Sequence, residues 1–329
     1  MRPVTHITVY RKVFEYVQLE HLKQIKIKSA IFSFYKVRRI CNQTLNNKIL
    51  IASDSMVYEM FLDKDFKITE LPLKTSMTLK SIAYIDDKLA VGGSENNVKI
   101  YDFLKNYEET KVLLLDSAVL ALFAYKYYLA VGQMNGILKL FNSLSDFTLI
   151  ETIKNHDSGV RCFTMNASYL FSGGWDGNIC VWDETSMNQI NLVEKMTAHK
   201  GESYKLLIHE DRLYSIGYDT NVHIIDLKIG FKTFKSFTTH KVAGSCLAVY
   251  NQKLITSGWD GEIKVWDIKN DYALLITFVG SQTQLYSLII KDDMLISGGL
   301  GKQIAIWDLS NDFKQKSKTD LKGSITFII

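Results

Sequence analysis

Cysteine, proline and long apolar runs are scarce in this sequence. Its 329 residues include four cysteines and two prolines. No stretch approaches the uncharged length needed to span a bilayer, and the first residues, Met1 to Ile7, lack the apolar run of a signal peptide. We therefore expect an intracellular protein without a membrane span, in the cytoplasm rather than the nucleus.

The cysteines show none of the paired spacings that bind zinc. Three of them, Cys162, Cys180 and Cys246, fall in segments that the pattern described below predicts as strands. In an intracellular protein this placement predicts buried, reduced thiols. We expect neither a metal nor a cofactor.

The chain as a whole also carries only a small excess of charge of one sign. The net charge is +4, with 22% charged and 47% hydrophobic residues, as in a soluble globular protein with a large core. Nucleic acid is not expected as a partner, because its binding requires a strongly positive surface. One basic cluster could touch RNA or anionic lipid, although a solvated surface is the commoner role of such a cluster. It comprises Lys23, Lys26, Lys28, Lys36, Arg38 and Arg39.

What the chain does contain is a recurring hairpin pattern. Leu254 to Asp267 has an apolar run, a turn at Asp260-Gly261, and a second run in which apolar and polar residues alternate. This pattern is typical of two antiparallel strands joined by a tight turn. Similar segments end at residues 102, 142, 183, 226, 267 and 308, so the period is 40 to 43 residues. The chain is therefore a repeat protein.

Each repeat is predicted to contain four strands, named a to d in chain order, with b and c forming the hairpin. Strands a are predicted to begin near residues 29, 79, 117, 159, 202, 244 and 284. Strands b are predicted to begin near residues 49, 89, 128, 169, 213, 254 and 295. Seven units result, and helix is expected only within the first 27 residues.

The two termini are predicted to close the array. Residues 1–28 are expected to form closing strands or a short helix, residues 29–322 the seven repeats, and residues 323–329 a strand that contributes to closure. The reason is that a ring of blades must seal its first and last sheets, because open edges pair with other chains.

At these residues the chain resembles the WD-repeat (WD40) β-propeller family, over roughly residues 29 to 322. Three Trp-Asp strand ends at the regular period make the similarity specific for the fold. These are Trp182-Asp183, Trp266-Asp267 and Trp307-Asp308. The resemblance implies an all-β fold, a seven-bladed WD40 β-propeller of four-stranded antiparallel blades.

The resemblance also implies a hydrogen-bonded tetrad of His, Ser or Thr, Asp and Trp within each ideal blade. Two units carry all four residues: His156, Ser172, Asp176 and Trp182, then His240, Thr256, Asp260 and Trp266. A third has His199, Ser215 and Asp219 but Ile225 at the Trp position, so its network is expected to stop at the hydroxyl. A fourth has Ser297 and Trp307 but Ser281 and Gly301 at the His and Asp positions. His223 lies off this frame.

The His, Ser and Asp residues could also suggest a nucleophilic triad, but their spacing argues against one. His156, His199 and His240 recur at the repeat period with their partners in register, whereas a catalytic group occurs once per site. The sequence also contains no phosphate-binding loop, metal-ligand cluster or nucleophile elbow. We therefore expect structural tetrads and no catalytic residues.

The function that the resemblance implies is a non-catalytic scaffold that binds proteins or peptides, as a monomeric propeller within a complex. A first alternative is a substrate receptor of a cullin-type ubiquitin ligase, because Leu254 to Lys269 resembles an adaptor-binding box of some WD-repeat receptors. A second alternative is a subunit or portion of a larger multi-propeller assembly. Fold by itself does not choose among these functions.

The partner-binding rim is predicted from the residue just before the turn Asp. In this family that residue lies on the rim where the d–a and b–c loops meet. Large side chains occupy that position in four successive units, with two candidate neighbours in strands a. They are Trp175, Tyr218, Trp259 and Leu300, with Arg161 and Tyr204 beside them. Exposed aromatic residues often anchor interfaces. The alternative is that each ring folds over its own turn glycine and shields the tetrad.

Overall fold

Seven four-stranded antiparallel sheets make up the described part of the chain, in a computed structural model that describes residues 48–73, 75–186 and 189–329. The predicted seven-bladed, all-β propeller of four-stranded blades is confirmed. The expectations for the first 47 residues, including the closing segment, the basic cluster, Cys41 and the start of the repeats at residue 29, lie outside the described residues.

The strands follow one another blade by blade. Blades 1 to 4 contain β1 (Lys48–Ser53), β2 (Met56–Phe61), β3 (Lys67–Glu70); β4 (Leu79–Ile85), β5 (Lys88–Gly93), β6 (Asn97–Asp102), β7 (Glu108–Leu114); β8 (Val119–Tyr125), β9 (Tyr128–Gln133), β10 (Ile137–Asn142), β11 (Thr148–Lys154); and β12 (Val160–Met165), β13 (Tyr169–Gly174), β14 (Asn178–Ser186), β15 (Gln189–Thr197). Blades 5 to 7 contain β16 (Ser203–His209), β17 (Arg212–Gly217), β18 (Asn221–Asp226), β19 (Lys232–Thr238); β20 (Gly244–Tyr250), β21 (Lys253–Gly258), β22 (Glu262–Asp267), β23 (Ala273–Val279); and β24 (Leu285–Lys291), β25 (Met294–Gly299), β26 (Gln303–Asp308), β27 (Lys314–Asp320). A last strand, β28 (Ile325–Ile328), completes blade 1.

Strand a is the innermost strand of each blade, and these strands form a closed ring. Each packs beside the strand a of the next blade, from β4 through β8, β12, β16, β20 and β24 to β28, which packs beside β4. The strands b are almost wholly buried, whereas the outer strands d alternate between exposed and half-buried residues. The apolar core therefore lies between neighbouring blades, as expected for a fold built by stacking sheets radially.

The ring is closed by the C-terminal strand. β28 pairs antiparallel with β1, with Ile51 opposite Ile328, and so takes the inner position of blade 1. The main chains of Leu50 and Ile329 exchange two hydrogen bonds of 2.8 and 2.9 Å. The inner strand of this blade thus comes from the C-terminus, and not from the segment near residue 29 that the sequence pattern favours.

The turns between strands c and d use an unusual backbone conformation. In five blades an Asp or Asn and the aromatic residue after it both have positive φ, between 46° and 60°. These pairs are Asp65-Phe66, Asn106-Tyr107, Asp146-Phe147, Asp271-Tyr272 and Asp312-Phe313. A left-handed conformation costs a residue with a side chain about 1–2 kcal/mol.

Burial of the aromatic ring offsets that cost, because fully burying a large apolar side chain is worth about 1.5–3 kcal/mol. Phe147, Tyr272 and Phe313 are buried, and their rings pack against the preceding blade. Phe313, for example, lies 5.8 Å from Phe278 of blade 6, measured between ring centroids. In these three blades the turn therefore packs the blade against its neighbour.

The expectation that helix is confined to the first 27 residues is wrong in detail. Two single-turn 3₁₀ helices, Phe103–Lys105 and Ser143–Ser145, connect strands c and d of blades 2 and 3. Asp102 and Asn142 cap them by accepting a main-chain N–H two residues later. Such caps are what short polar side chains provide at helix starts. Within the described residues, no helix has the length and apolar character needed to cross a bilayer.

The described cysteines are buried free thiols. They are Cys162, Cys180 and Cys246. Burial raises the pKa of Cys162 to about 11 and that of Cys180 to about 12. These thiols therefore stay protonated at neutral pH and pack as small apolar side chains.

Candidate functional site

One end of every blade carries both the b–c turn and the loop that enters strand a, and we call this end the upper face. The register of the strands determines it, because the first residue of strand a lies opposite the last residue of strand b. Val160 pairs with Gly174 in this way, and Ser203 with Gly217. The lower face carries the a–b and c–d turns.

A row of side chains on the upper face is fixed by one repeated hydrogen bond. In each blade the main-chain N–H of the residue after strand b donates to a carbonyl oxygen in the loop before strand a, over 2.7 to 3.2 Å. The donors in blades 1 to 7 are Asp54, Ser94, Met134, Trp175, Tyr218, Trp259 and Leu300. Five successive blades thus present a large side chain at this position. Met134 was not among the residues predicted for this rim.

Trp259 lies at the centre of an aromatic cluster on this face, which we define as Tyr204, Tyr218, Trp259 and Tyr286. Its ring centroid is 5.4 Å from that of Tyr204, 6.4 Å from that of Tyr218 and 6.5 Å from that of Tyr286. Tyr204 and Tyr218 belong to blade 5 and Tyr286 to blade 7, so Trp259 joins three blades. Tyr286 was not among the predicted rim residues, although its position in β24 matches that of Tyr204 in β16.

Blade 6 has a small residue where the strands a of blades 5 and 7 have a tyrosine. Ser245 takes the position in β20 that Tyr204 and Tyr286 take in their strands. Its side chain is buried and donates to the main-chain oxygen of Ser257, 3.1 Å away. Strand a of blade 6 thus adds no further large ring beside Trp259.

The other predicted rim residues take different places. Trp175 is half-buried over Gly159, where an added Cβ would come within 3.0 Å of its ring. Gly159 lies in the loop before strand a, so it is not the turn glycine, Gly177, over which the alternative places the ring. Arg161 points toward blade 3 and donates to the carbonyl oxygen of Leu120 over 3.2 Å. Leu300 is 45% exposed and Tyr218 56% exposed, so both present apolar surface to solvent.

The structure brings the residues of both complete tetrads together below this face. Trp182 Nε1 donates to Ser172 Oγ over 2.9 Å, Ser172 Oγ lies 2.9 Å from His156 Nε2, and His156 Nδ1 lies 3.0 Å from Asp176. In blade 6 the same chain runs from Trp266 through Thr256 and His240 to Asp260, over 3.1, 2.9 and 3.0 Å. An indole N–H can only donate a hydrogen bond, so the hydroxyl accepts that bond and donates its own O–H to the imidazole. Every member of the tetrad therefore has a hydrogen-bond partner.

Blade 5 departs from the expectation for an incomplete tetrad. His199 lies 2.7 Å from Asp219 and 2.6 Å from Ser215, as the frame implies. The network does not stop at this hydroxyl, however, because Ser215 Oγ lies 3.2 Å from Ser203 Oγ. His223, which the sequence frame leaves out, also joins the network: its Nε2 lies 3.2 Å from Asp219.

In blade 7 the tetrad is reduced to one bond, from Trp307 Nε1 to Ser297 Oγ over 3.1 Å. The Ser281 hydroxyl bonds within its own loop, to Thr283. Blade 3 holds the loop before strand a in another way, because the buried side chain of Gln133 accepts the main-chain N–H groups of Asp116 and Ser117.

The three tetrad carboxylates are held ionised. Burial would raise the pKa of Asp260, but hydrogen bonding to His240 and to main-chain N–H groups outweighs it and lowers that pKa from 3.8 to about 2. Burial would also raise the pKa of Asp176 and of Asp219, but hydrogen bonds of the same kinds outweigh it and lower both pKa values. These carboxylates therefore favour the folded state whenever they are charged.

Stability is accordingly expected to fall between pH 4 and pH 2. A carboxyl with a lower pKa in the folded state stabilises the protein above its unfolded pKa of 3.8, and the contribution is lost as pH falls through the folded value of about 2. The measurement is the urea midpoint at each pH. Asp260→Asn is expected to be less stable at pH 7 and to lose less over this interval. A wild-type midpoint that stays flat from pH 4 to pH 2 would contradict the assignment.

Comparison with known proteins identifies the repeats. The family model described as WD domain, G-beta repeat matches residues 147–183 and 231–267. An uncharacterised WD repeat-containing protein of Schizosaccharomyces pombe is 26% identical over 88 residues, which are 26% of this chain and 14% of that protein. The p21-activated protein kinase-interacting protein 1-like of Danio rerio is 28% identical over 110 residues, 32% of this chain and 29% of that protein. The aligned segments thus cover less than a third of these relatives.

Solved structures share the fold over a larger part of the chain. The WD40 β-propeller domain of Doa1 superimposes with a TM-score of 0.67 at 18% identity, covering 84% of this chain and 88% of that one. A chain of the mitotic checkpoint complex gives a TM-score of 0.66 at 21% identity, covering 75% of this chain and 79% of that one. Together with the seven blades, these similarities show a β-propeller fold that contains repeats similar to the WD domain, G-beta repeat.

Proposed function

We propose that this protein is a non-catalytic scaffold that binds a protein or peptide through its upper face. The observation that supports this proposal is the aromatic cluster around Trp259, whose member Tyr218 is exposed, together with the exposed side chain of Leu300 on the same face. Tyr and Trp are the residues that most often anchor interfaces, because they bury a large area with little loss of conformational freedom.

The neighbouring surface extends this apolar area around the ring. Met134 in blade 3 and Val242 in the loop before β20 are 51% and 45% exposed, and both lie on the upper face. Exposed apolar side chains at loop tips are costly to leave in water, and several of them on one face are a common mark of a binding site. A partner with apolar or aromatic side chains would cover this surface.

The tetrads support a scaffold rather than a hydrolase. A nucleophilic serine has to reach substrate, whereas Ser172, Ser215 and Thr256 are fully buried. The Ser172 and Thr256 hydroxyls each accept an indole N–H and bond an imidazole. Hydroxyl groups placed in this way stabilise the blade and are poorly placed to attack a substrate.

The ligase-receptor alternative receives less support, because a common turn explains much of the box at Leu254 to Lys269. Asp267 accepts the main-chain N–H of Lys269, and Asp226 accepts that of Lys228 in the same way. Asp308 and Asp102 cap the equivalent turns of blades 7 and 2. The Asp therefore has a structural role in several blades, and Lys269 is an exposed residue at the end of a turn.

Affinity purification with mass spectrometry tests the proposed surface. Trp259→Ala and Tyr218→Ala are expected to lose the same co-purifying proteins, since removing an interface anchor costs about 2 kcal/mol or more, roughly a 30-fold loss of affinity. Leu104→Ala is the matched control, because Leu104 is 72% exposed in a c–d connection on the lower face. Circular dichroism melts show whether each variant remains folded.

Unchanged partners in both upper-face variants, or the same losses in Leu104→Ala, would contradict binding at this face. The same samples test the alternatives. A cullin adaptor among the proteins lost with Lys269→Ala would favour the ligase receptor. A native mass well above that of one chain would favour a larger assembly.

A further inference from the structure

We propose that blade 5 contains a Zn²⁺-binding site formed by His199, Asp219 and His223. One possible ligand atom from each of these residues lies within 4.8 Å of the other two. His199 Nδ1 and His223 Nε2 are the nitrogens that contact the Asp219 carboxylate. Two imidazole nitrogens and a carboxylate oxygen are common zinc ligands, at about 2.0–2.2 Å from the ion. A fourth position would remain for water or for a side chain of a bound partner.

The distances suit an ion between these groups after a small movement. Ligands of a tetrahedral zinc ion lie about 3.4 Å apart, given those bond lengths. The carboxylate of Asp219 is now 2.7 Å from His199 and 3.2 Å from His223. The two imidazole rings are almost perpendicular, with centroids 4.5 Å apart. Both nitrogens thus lie beside one carboxylate.

His199 can act as a metal ligand because blade 5 lacks the tetrad tryptophan. In the complete tetrads the hydroxyl oxygen accepts a hydrogen bond from the indole N–H. The hydroxyl then donates its own hydrogen bond to His Nε2. The imidazole must then carry its own proton on Nδ1, which faces Asp176 and has no lone pair for a metal. A complete tetrad therefore excludes a metal at Nδ1.

In blade 5 the tautomer of His199 is not fixed in this way. Ile225 replaces the tryptophan, and Ser215 has the Ser203 hydroxyl as its second partner, at 3.2 Å. Ser215 can therefore donate to Ser203 and accept from His199 Nε2–H. In that arrangement Nδ1 offers a lone pair toward Asp219, and a cation between them relieves the repulsion. The bond from Nε2–H to Ser215 would hold the ring in place, as is usual for zinc-bound histidines.

Access also favours the site. The His223 side chain is 16% exposed, whereas that of His199 is fully buried, so an ion would enter beside His223.

Blade 6 provides an internal comparison. His240, Asp260 and Glu262 also lie close enough to hold an ion. Trp266 completes that tetrad, however, and Glu262 pairs with Lys241 and Lys264, both at 3.2 Å. The fixed tautomer and the two cations disfavour a divalent ion there.

The test is Zn²⁺ titration of metal-free, untagged full-length protein by calorimetry, with Co²⁺ absorption as a second readout of tetrahedral coordination. His223→Ala is expected to remove one equivalent or to weaken its binding by more than about 10-fold. This change suits the fold, because Ala305 holds the matching position of blade 7. Glu262→Gln is expected to bind like wild type.

A second variant leaves all three ligands in place. Ile225→Trp supplies the missing indole donor and is expected to weaken Zn²⁺ binding by more than about 10-fold, with the fold checked by circular dichroism. Should that variant fail to fold, His223→Lys takes its place, since Lys264 stands at the matching position of blade 6. Wild-type protein that binds no Zn²⁺ at micromolar concentration, or a folded His223→Ala that binds as wild type does, would overturn the proposal.

Discussion

Deletion of residues 323–329 is expected to convert the folded propeller into an unfolded or aggregating chain. These residues include β28, the inner strand of blade 1. Ile325 and Ile328 are buried, and burying two such side chains contributes about 3–6 kcal/mol. Because domains are stable by only about 5–15 kcal/mol, this loss is a large fraction of the total.

The deletion also exposes hydrogen-bonding groups that invite aggregation. β1 would lose its partner on the inner side, including both bonds between Leu50 and Ile329. An unpaired strand edge next to an apolar surface pairs readily with other chains. Ile328 N–H also donates to Ser287 of blade 7 over 3.1 Å, so the contact to that blade would be lost as well.

Size-exclusion chromatography and urea unfolding measure this result. Lys322→Ala is the control, because its exposed ion pair with Glu70 lies next to the strand and contributes little. A synthetic peptide of residues 320–329 is expected to restore part of the lost stability. A truncated chain that remains monomeric with the wild-type midpoint would show that β28 is dispensable. In that case, also deleting residues 1–47 would test whether the segment near residue 29 replaces it.

Replacement of the tetrad tryptophans is expected to give the second large effect. Trp182→Phe and Trp266→Phe each keep an aromatic ring but remove the indole N–H that bonds the buried hydroxyl. Leaving such a buried group without its partner costs about 1–3 kcal/mol. Because the hydroxyl is also bonded to a histidine and through it to a carboxylate, the loss is expected near the upper end of that range.

Two comparisons make the tryptophan experiment specific. Trp307→Phe removes an equivalent bond to Ser297, but this hydroxyl has no histidine partner in its blade, so a smaller loss is expected. Tyr250→Phe removes an exposed hydroxyl bonded to Asp293 and is expected to change stability little. Urea unfolding gives each free energy. Equal losses for all three tryptophans would mean that the extended network adds nothing. His223→Ala is not a neutral control, because His223 contacts Asp219.

The sequence by itself determined the features that lie within one repeat. The predicted starts of strands b fall within one residue of the observed ones, from β1 to β25. The tetrad partners could also be named from spacing, because each blade folds from about 40 consecutive residues and its turns fix the register. Local pattern and local structure coincide for such units.

Tertiary structure decided what lies between repeats and between the chain ends. β28 joins β1 from a position more than 270 residues away, and two candidate segments had a similar strand pattern. Trp259 meets tyrosines of two neighbouring blades because the ring of blades brings their upper faces together. These contacts depend on curvature and packing, which a repeat period does not specify.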